Sequence, residues 1–377
     1  DGILISQFKD PESYKTVQLF EITSHIDDQI DMERLSLAWQ KVVANQPALR
    51  TVFIPGMDKA AAFNQVVLSQ YHAELIILHT ASDEYTEALE MFKNLTPINY
   101  QSFKPPHRAA MCRISPSRVL CQVEMSHAIT DGASTSILAN DLLQAYNGNS
   151  MPINLMDTAC EFARAQLTSS FGEKLSYWKK KLSGMDPCHF PKISGASTQG
   201  TGTSVCKLRG SLFSKIQDYC NIVEITTASL FQTIWALTLA AYTGNDSTCF
   251  GYLASGRDLP IAGIDKSIGA FTNMLVFRVN INRETEILQF VQTVHDQVMQ
   301  DLEHQHCSLA SIQHELGINS DNPLFNSILS YQKQDDQPAG DEGLVIKALD
   351  GQDPTEVRCM ACQNSLRNLT NPSTTLC

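Results

Sequence analysis

The stretch RVLCQVEMSHAITDG, residues 118–132, joins an apolar, β-prone segment to a polar loop that ends in glycine. The apolar segment predicts a buried strand that delivers His127 to a turn. Asp131 follows four residues later, close enough to fold back and fix the backbone, and Gly132 removes a side chain where a substrate could approach. A neutral imidazole held there can accept a proton near neutral pH, as amine or alcohol attack on an ester requires.

Other catalytic motifs are sparse in this sequence. The HxxxDG pattern by itself also fits a structural His–Asp turn, so both interpretations stay open at this point. No serine lies in a GxSxG elbow, and no glycine-rich loop would cradle a phosphate. His72, His79 and His189 are isolated, which is typical of structural or surface histidines. The CxxC pair Cys359 and Cys362 lacks a second pair or a histidine at zinc spacing, so no metal is expected.

Strand and helix patterns are mixed irregularly on both sides of the loop. Before it, the pattern predicts a helix over 31–45, capped by Asp31, and a hairpin of strands over 108–114 and 118–125. After it, a helix over 133–146 leads into a second half with the same mixture. This order predicts an α/β fold (an α+β sandwich) of two lobes. The lack of regular βαβ alternation argues against a doubly wound dinucleotide-binding fold.

The composition of the 377 residues, 43% hydrophobic and 18% charged, is typical of a globular chain with a large core. A net charge of -12 makes nucleic acid an unexpected partner. We interpret Lys179, Lys180 and Lys181 as the solvated face of an amphipathic helix. No apolar run reaches the roughly eighteen residues of a membrane span, so no membrane partner is expected. Cysteines scattered through apolar stretches indicate reduced thiols and a cytoplasmic location.

The segment SHAITDG at 126–132 resembles the HHxxxDG motif of condensation domains in nonribosomal peptide synthetases. These domains are part of the chloramphenicol acetyltransferase-like superfamily. Further segments resemble those of the family in the same order along the chain. They are ANQPALRTVF (44–53), SYWKKKLSG (176–184), GYLASGRDLP (251–260), IGAFTNMLVFRV (268–279), HQHCSLASI (304–312) and DNPLFNSILSYQ (321–332). Several motifs in the correct order are a strong signal of membership in this family.

The resemblance implies a role for each matching residue. His127 corresponds to the catalytic histidine, which acts as a general base or positions the attacking amine. Asp131 corresponds to a structural aspartate that in the family pairs with the arginine matched here by Arg50. Neither of these two is expected to exchange a proton with the substrate. Gly132 corresponds to a residue near the donor thioester, and Asn273 to an asparagine that faces the site from the second lobe.

The family fold implies a V-shaped pseudo-dimer of two lobes, with His127 midway along a tunnel. The implied partners are carrier proteins, above all an upstream peptidyl carrier domain that presents a peptidyl thioester on its phosphopantetheine arm. No cofactor is expected within the domain itself. We expect an N-terminal lobe at 1–165 and a C-terminal lobe at 166–356, with a crossover loop near 251–270.

Residues 357–377, VRCMACQNSLRNLTNPSTTLC, depart from the family pattern. The stretch is polar and cysteine-rich and lacks strong periodicity, whereas the family continues with a strand and closing helices. We therefore expect an atypical, non-native or disordered tail and an incomplete C-terminal lobe. A missing central strand would leave sheet edges unpaired.

Ser126 stands where the family motif has its first histidine. The SHxxxDG variant is similar to that of the terminal condensation-like domains of fungal synthetases, which release the peptide by cyclisation. The resemblance implies that an amine within the tethered peptide attacks its own thioester, a reaction favoured by effective concentration. Three alternatives stay open: ordinary condensation between two carrier-bound substrates, an inactive carrier-docking fragment, and an acyltransferase that uses coenzyme A esters.

Overall fold

A computed structural model describes most of the chain, and it divides the chain into two compact units. The first unit comprises Asp1–Ala165, Leu259–Phe271 and Gln337–Glu356, and the second comprises Gln166–Asp258, Thr272–Asp336 and Val357–Cys377. The described residues are 2–24, 29–57, 62–80, 85–149, 151, 155–168, 171–191, 206–318, 323–334, 344–352, 359–365 and 373–376. Each unit therefore joins segments that are far apart in the sequence.

Helices and strands are mixed in both units. The helices are α1 (Gly2–Lys9), α2 (Met32–Asn45), α3 (Tyr85–Lys93), α4 (Ser134–Asn147), α5 (Leu155–Thr168), α6 (Phe171–Leu182), α7 (Gly210–Ile222), α8 (Thr227–Thr243), α9 (Ile287–Glu303) and α10 (Leu309–Glu315). The strands are β1 (Lys15–Ser24), β2 (Thr51–Pro55), β3 (Phe63–Val67), β4 (Leu75–His79), β5 (His107–Ser115), β6 (Arg118–Ser126), β7 (Cys206–Arg209), β8 (Ser247–Ala254), β9 (Asn273–Asn280), β10 (Ile328–Gln334), β11 (Leu344–Gln352), β12 (Cys359–Ser365) and β13 (Ser373–Leu376).

The main sheet of the first unit has the strand order β11-β1-β6-β5-β4. β5 and β6 form the hairpin that the sequence predicts, and β6 also pairs antiparallel with β1. The strand that ends at Ser126 is therefore the central strand of the sheet. Its side chains Val119, Cys121 and Val123 are buried in the core of this unit. Because β6 is hydrogen-bonded on both sides, the start of the loop that follows it is fixed.

Helix α2 begins as the sequence predicts. The carboxylate of Asp31 accepts hydrogen bonds from the backbone N–H groups of Glu33 and Arg34, which a helix start leaves without intrahelical partners. Its apolar stripe then packs into the core beside α4. The buried members of that stripe are Leu35, Ala38, Trp39, Val42 and Val43. Burial of a large side chain of this kind stabilises the fold by about 1.5–3 kcal/mol.

The sheet of the second unit has the strand order β7-β13-β12-β10-β8-β9. A separate core lies against it, in which Trp178, Phe250 and Phe277 are completely buried. No single helix among the described residues is long and apolar enough to cross a membrane. The pair Ser211–Ile222 and Thr227–Thr243 reaches that length and composition together, but it is bent by 103°.

Two short strands lie within residues 357–377. Cys359–Ser365 pairs in parallel with Ile328–Gln334, and Ser373–Leu376 pairs with Cys206–Arg209. The rest of residues 357–377 lies outside the described residues. A polar stretch without periodicity can still form a strand, because the sheet is joined by backbone N–H and C=O groups.

Lys181 corrects the interpretation of the three lysines as a solvated face. Its side chain turns inward from α6 and forms an ion pair with Asp301 of α9, whose carboxylate is completely buried. Tyr177 Oη donates a second hydrogen bond of 2.7 Å to the same carboxylate oxygen. Burial raises the pKa of Asp301 and lowers that of Lys181, while the attraction between the two charges opposes both shifts.

Candidate active site

The loop 126–132 is held by backbone hydrogen bonds at the point where β6 ends. Ser126 N donates to Pro106 O at 3.0 Å, and His127 N donates to Tyr14 O at 2.9 Å. Ile129 N then donates back to Ser126 O at 3.0 Å, which closes a turn. The backbone on both sides of His127 is thus fixed by the sheet and by the turn.

His127 is half-buried, and its Nδ1 lies 3.3 Å from the carbonyl oxygen of Thr130. A carbonyl oxygen can only accept a hydrogen bond, so this contact assigns the proton of the neutral imidazole to Nδ1. The lone pair of that tautomer is then on Nε2. The geometry suits a general base that acts through Nε2.

Asp131 fixes the end of the loop and the start of α4. Its Oδ1 accepts hydrogen bonds from Ser134 N at 3.1 Å and Ser134 Oγ at 2.8 Å, and its Oδ2 accepts one from Phe271 N at 3.3 Å. Ser134 Oγ also lies 3.3 Å from Gly269 N, which can donate to it. The segment that ends at Phe271 is therefore attached to the loop within the first unit.

We expect Asp131→Ala to reduce both stability and activity. The substitution leaves three buried donors without their acceptor, and the free energy of unfolding should fall by about 1–3 kcal/mol. Asp31→Ala is the matched control, because it removes a similar helix-start carboxylate from α2. Urea midpoints should fall for both variants, whereas the rate of amide formation should fall for the Asp131 variant alone. Equal rate losses in the two would contradict a specific role at the loop.

Arg50 lies directly before β2 and binds the residue that follows β3. It is buried, and its Nη1 donates to Leu68 O, while Leu68 N donates to Arg50 O at 2.9 Å. Arg50 and Asp131 hold different segments of the first unit. Arg50 joins the ends of β2 and β3, and Asp131 joins the loop to α4 and Phe271.

His107 is a buried histidine beside the loop, and no sequence pattern singled it out. It lies opposite Met125 at the end of β6, and its Nε2 hydrogen-bonds to Leu49 O at 2.7 Å. The ring also makes edge contacts with Trp39 and Tyr71. Burial lowers the pKa of His107 from 6.5 to about 4.

This lowered pKa predicts a loss of stability in weak acid. The neutral ring contributes its full stability above pH 6.5, and the contribution is lost as the pH falls from 6.5 towards 4, because the unfolded chain binds the proton first. Between pH 6.5 and pH 5 the loss should be about 1.5 kcal/mol. Urea unfolding of the protein and of His107→Gln over this range checks it. The wild-type curve should fall more steeply, and parallel curves would contradict the assignment.

Ser126 is completely buried and does not take the place of a second catalytic group. Its hydroxyl donates to Gln7 Oε1 at 2.5 Å and accepts from Ala128 N at 3.0 Å. Sequence reasoning missed Gln7, because it lies 119 positions from Ser126 and belongs to no motif. Ser134 follows Asp131 by three residues, a spacing at which an aspartate side chain can accept from a nearby backbone N–H, and this is the signal that could have found it.

The two predicted substrate contacts lie in different units. Gly132 is exposed in the loop of the first unit. Asn273 begins β9 in the second unit, where its Nδ2 donates to Gln305 O and, at 3.4 Å, to Cys307 O. Its amide nitrogen is therefore engaged by the segment that follows α9. No group of three or more His, Cys, Asp or Glu residues that could hold a metal is found among the described residues.

Comparison with known proteins decides the family. The family model described as the condensation domain matches residues 5–359. This chain belongs to the condensation-domain family. Condensation domains are acyltransferases that form amide bonds in nonribosomal peptide synthesis from substrates held on carrier proteins. The predicted family and enzyme class are thereby confirmed.

Curated relatives from fungi support the same assignment. The chain is 34% identical over 361 residues to nonribosomal peptide synthetase nlsA of Emericella nidulans, with 95% of this chain covered. It is 35% identical over 362 residues to nonribosomal peptide synthetase 1 of Aspergillus fumigatus, with 94% of this chain covered. The match spans 6% of the length of each relative.

Solved structures confirm the fold. The condensation domain of the monacolin K polyketide synthase MokA matches with a TM-score of 0.77 at 16% identity, over 96% of this chain and 86% of that one. A mutant starter condensation domain of rhizomide synthetase RzmA, in complex with C8-CoA, matches with a TM-score of 0.76 at 16% identity, over 100% of this chain and 86% of that one. The mixed α/β, chloramphenicol acetyltransferase-like fold predicted from the sequence is therefore correct.

Proposed function

We propose that this condensation domain forms an amide within a single carrier-bound peptide and so releases a cyclic nonribosomal peptide. The observation that carries the proposal is the SHAITDG loop, in which His127 presents Nε2 as its basic nitrogen while Ser126 is buried against Gln7. The loop thus supplies one histidine, which is enough for a nucleophile that belongs to the same peptide. An internal nucleophile gains effective concentration, so a second carrier arm is unnecessary.

The reaction needs one proton acceptor. The amine nitrogen attacks the thioester carbonyl, and Nε2 of His127 accepts the proton that the amine loses as the C–N bond forms. The C–S bond then breaks, and the thiolate of the phosphopantetheine arm leaves and takes up the proton. The products are an amide and a free thiol. In this proposal Gly132 lies near the thioester, Asn273 contacts the substrate from the C-terminal lobe, and Asp131 and Arg50 shape the site without exchanging protons.

The peptide would arrive on the phosphopantetheine arm of an upstream peptidyl carrier domain. The division between Ala165 and Gln166 supports an N-terminal lobe at 1–165 that carries the loop, followed by a C-terminal lobe. Seven of the cysteines in the described ranges are free thiols, which supports the cytoplasm as the place of action.

Products formed from defined thioesters test this proposal. The protein is incubated with pantetheine thioesters of peptides two to six residues long that carry a free N-terminal amine, with and without an aminoacyl pantetheine thioester as acceptor. We expect the cyclic peptide, identified by mass, in both arms. A linear peptide extended by the acceptor, with no cyclic product, would overturn cyclisation and favour ordinary condensation. Binding of a loaded carrier domain without either product would favour the carrier-docking alternative.

A further inference from the structure

We propose that Gln7 is a positioning residue for His127, acting through both of the groups that hold the histidine backbone. This inference rests on the proposed function, because it concerns the same loop. Gln7 lies in α1, before β1, and its side chain is 1% exposed. Its carboxamide is directed at the end of β6 and not at solvent.

Both ends of the Gln7 carboxamide are used. Oε1 accepts the hydroxyl proton of Ser126 at 2.5 Å, and Nε2 donates to Tyr14 O at 3.2 Å. Tyr14 O is also the acceptor for His127 N at 2.9 Å. One amide group therefore connects the residue before His127 with the carbonyl that binds the backbone of His127.

The backbone at Tyr14 supports this interpretation. Its φ of 54° lies in the left-handed region, which a bulky residue rarely adopts. Such a conformation persists where surrounding contacts hold it, and it is common at functional sites. Here it places Tyr14 O where it accepts from both Gln7 and His127. Loss of the Gln7 contact would leave the carbonyl less constrained, and the His127 backbone with it.

The chemistry of a glutamine is required at this position. An acceptor must face Ser126 and a donor must face Tyr14 O, and a carboxamide supplies both in one plane. Glutamate offers two acceptors and cannot donate to Tyr14 O, and leucine offers neither group. Ser126 is therefore the structural partner of Gln7, and its place in the motif is explained by a contact inside the protein.

Enzyme kinetics of matched variants test the inference. We expect Gln7→Glu and Gln7→Leu to lower kcat by about ten- to a hundredfold with little change in KM, because the base is displaced while the substrate still binds. Gln40→Leu is the control, since Gln40 likewise uses both ends of its amide, on Ala73 N and Ala73 O, away from the loop. The control should lose stability and keep its kcat within about twofold. Equal losses of kcat in the Gln7 and Gln40 variants, at a temperature where all are folded, would overturn the inference.

A spectroscopic measurement separates this inference from the proposed function. The imidazole ¹⁵N resonances of His127, assigned with the His127→Ala variant, should shift and change their titration in Gln7→Leu and Ser126→Ala, and the double variant should resemble either single one. They should not change in Gln40→Leu. Unchanged His127 resonances in the Gln7 variant would overturn the positioning role even if cyclic product forms. Changed resonances without any product in the wild type would support it while contradicting the proposed function.

Discussion

Replacement of His127 by alanine is expected to lower the rate of amide formation by about 10²- to 10⁴-fold, the usual contribution of a positioned general base. The variant should keep its fold, because the loop backbone is still bound to Tyr14 O and Asp131 still joins α4 to Phe271. Substrate binding should change little, so the loss should appear in kcat and equally in kcat/KM. The measurement is the initial rate of amide product from a peptidyl pantetheine thioester.

His72→Ala is the matched control for this experiment. His72 lies exposed in the first unit and belongs to no motif, so its removal should leave the rate unchanged. Unfolding curves of both variants should coincide with that of the wild type. An unchanged yield of product from His127→Ala, at equal stability, would contradict the assigned role and leave the structural His–Asp turn as the better interpretation of the motif.

The second large effect is expected for Lys181→Met, which should destabilise the second unit by about 3–5 kcal/mol. The substitution leaves the carboxylate of Asp301 completely buried without its counter-ion, and burial already raises the pKa of that group. Tyr177 Oη still donates one hydrogen bond to it, which cannot replace a charge. The free energy of unfolding in urea measures the effect.

A neighbouring lysine provides the control. Lys179 forms an ion pair of 2.6 Å with Glu315 at the protein surface, where water screens the interaction, so Lys179→Met should hardly move the urea midpoint. The double variant Lys181→Met with Asp301→Leu should recover much of the lost stability, since it removes both charges from the interior. A double variant no more stable than Lys181→Met would contradict an uncompensated charge as the cause.

Local sequence patterns predicted much of the structure around the site. The helix over 31–45 with Asp31 as its cap and the hairpin that ends at the loop are present within a residue or two of the expected bounds. These features depend on residues that are neighbours in the chain, where side-chain period and capping chemistry act. Lys181 shows the limit of this reasoning. A lysine within a basic run predicts a solvated face, whereas the side chain of Lys181 turns inward to pair with Asp301.

Long-range pairing could not be predicted in the same way. β11 joins the edge of the first sheet, where Ser24 lies opposite Leu344, and no local signal links these two segments. The hydrogen bonds of Arg50 and Asp131 depend on long-range geometry in the same way. Residue type shows what kind of partner an arginine or an aspartate can bind. The register of β2 and β3 and the position of Phe271 determine that Arg50 donates to Leu68 O and that Asp131 accepts from Phe271 N.

The sequence by itself determined the family and the identity of the loop, because both are carried by residue types at fixed spacing. It therefore provided His127, its Asp and Gly neighbours and the serine that precedes it. The tertiary structure alone decided what those side chains contact. The hydrogen bonds of Ser126 to Gln7 and of Asp131 to Phe271 span 119 and 140 positions. The physical reason is that a hydrogen bond depends on the distance and direction between two groups, and sheet register and helix packing set these for residues far apart in the chain.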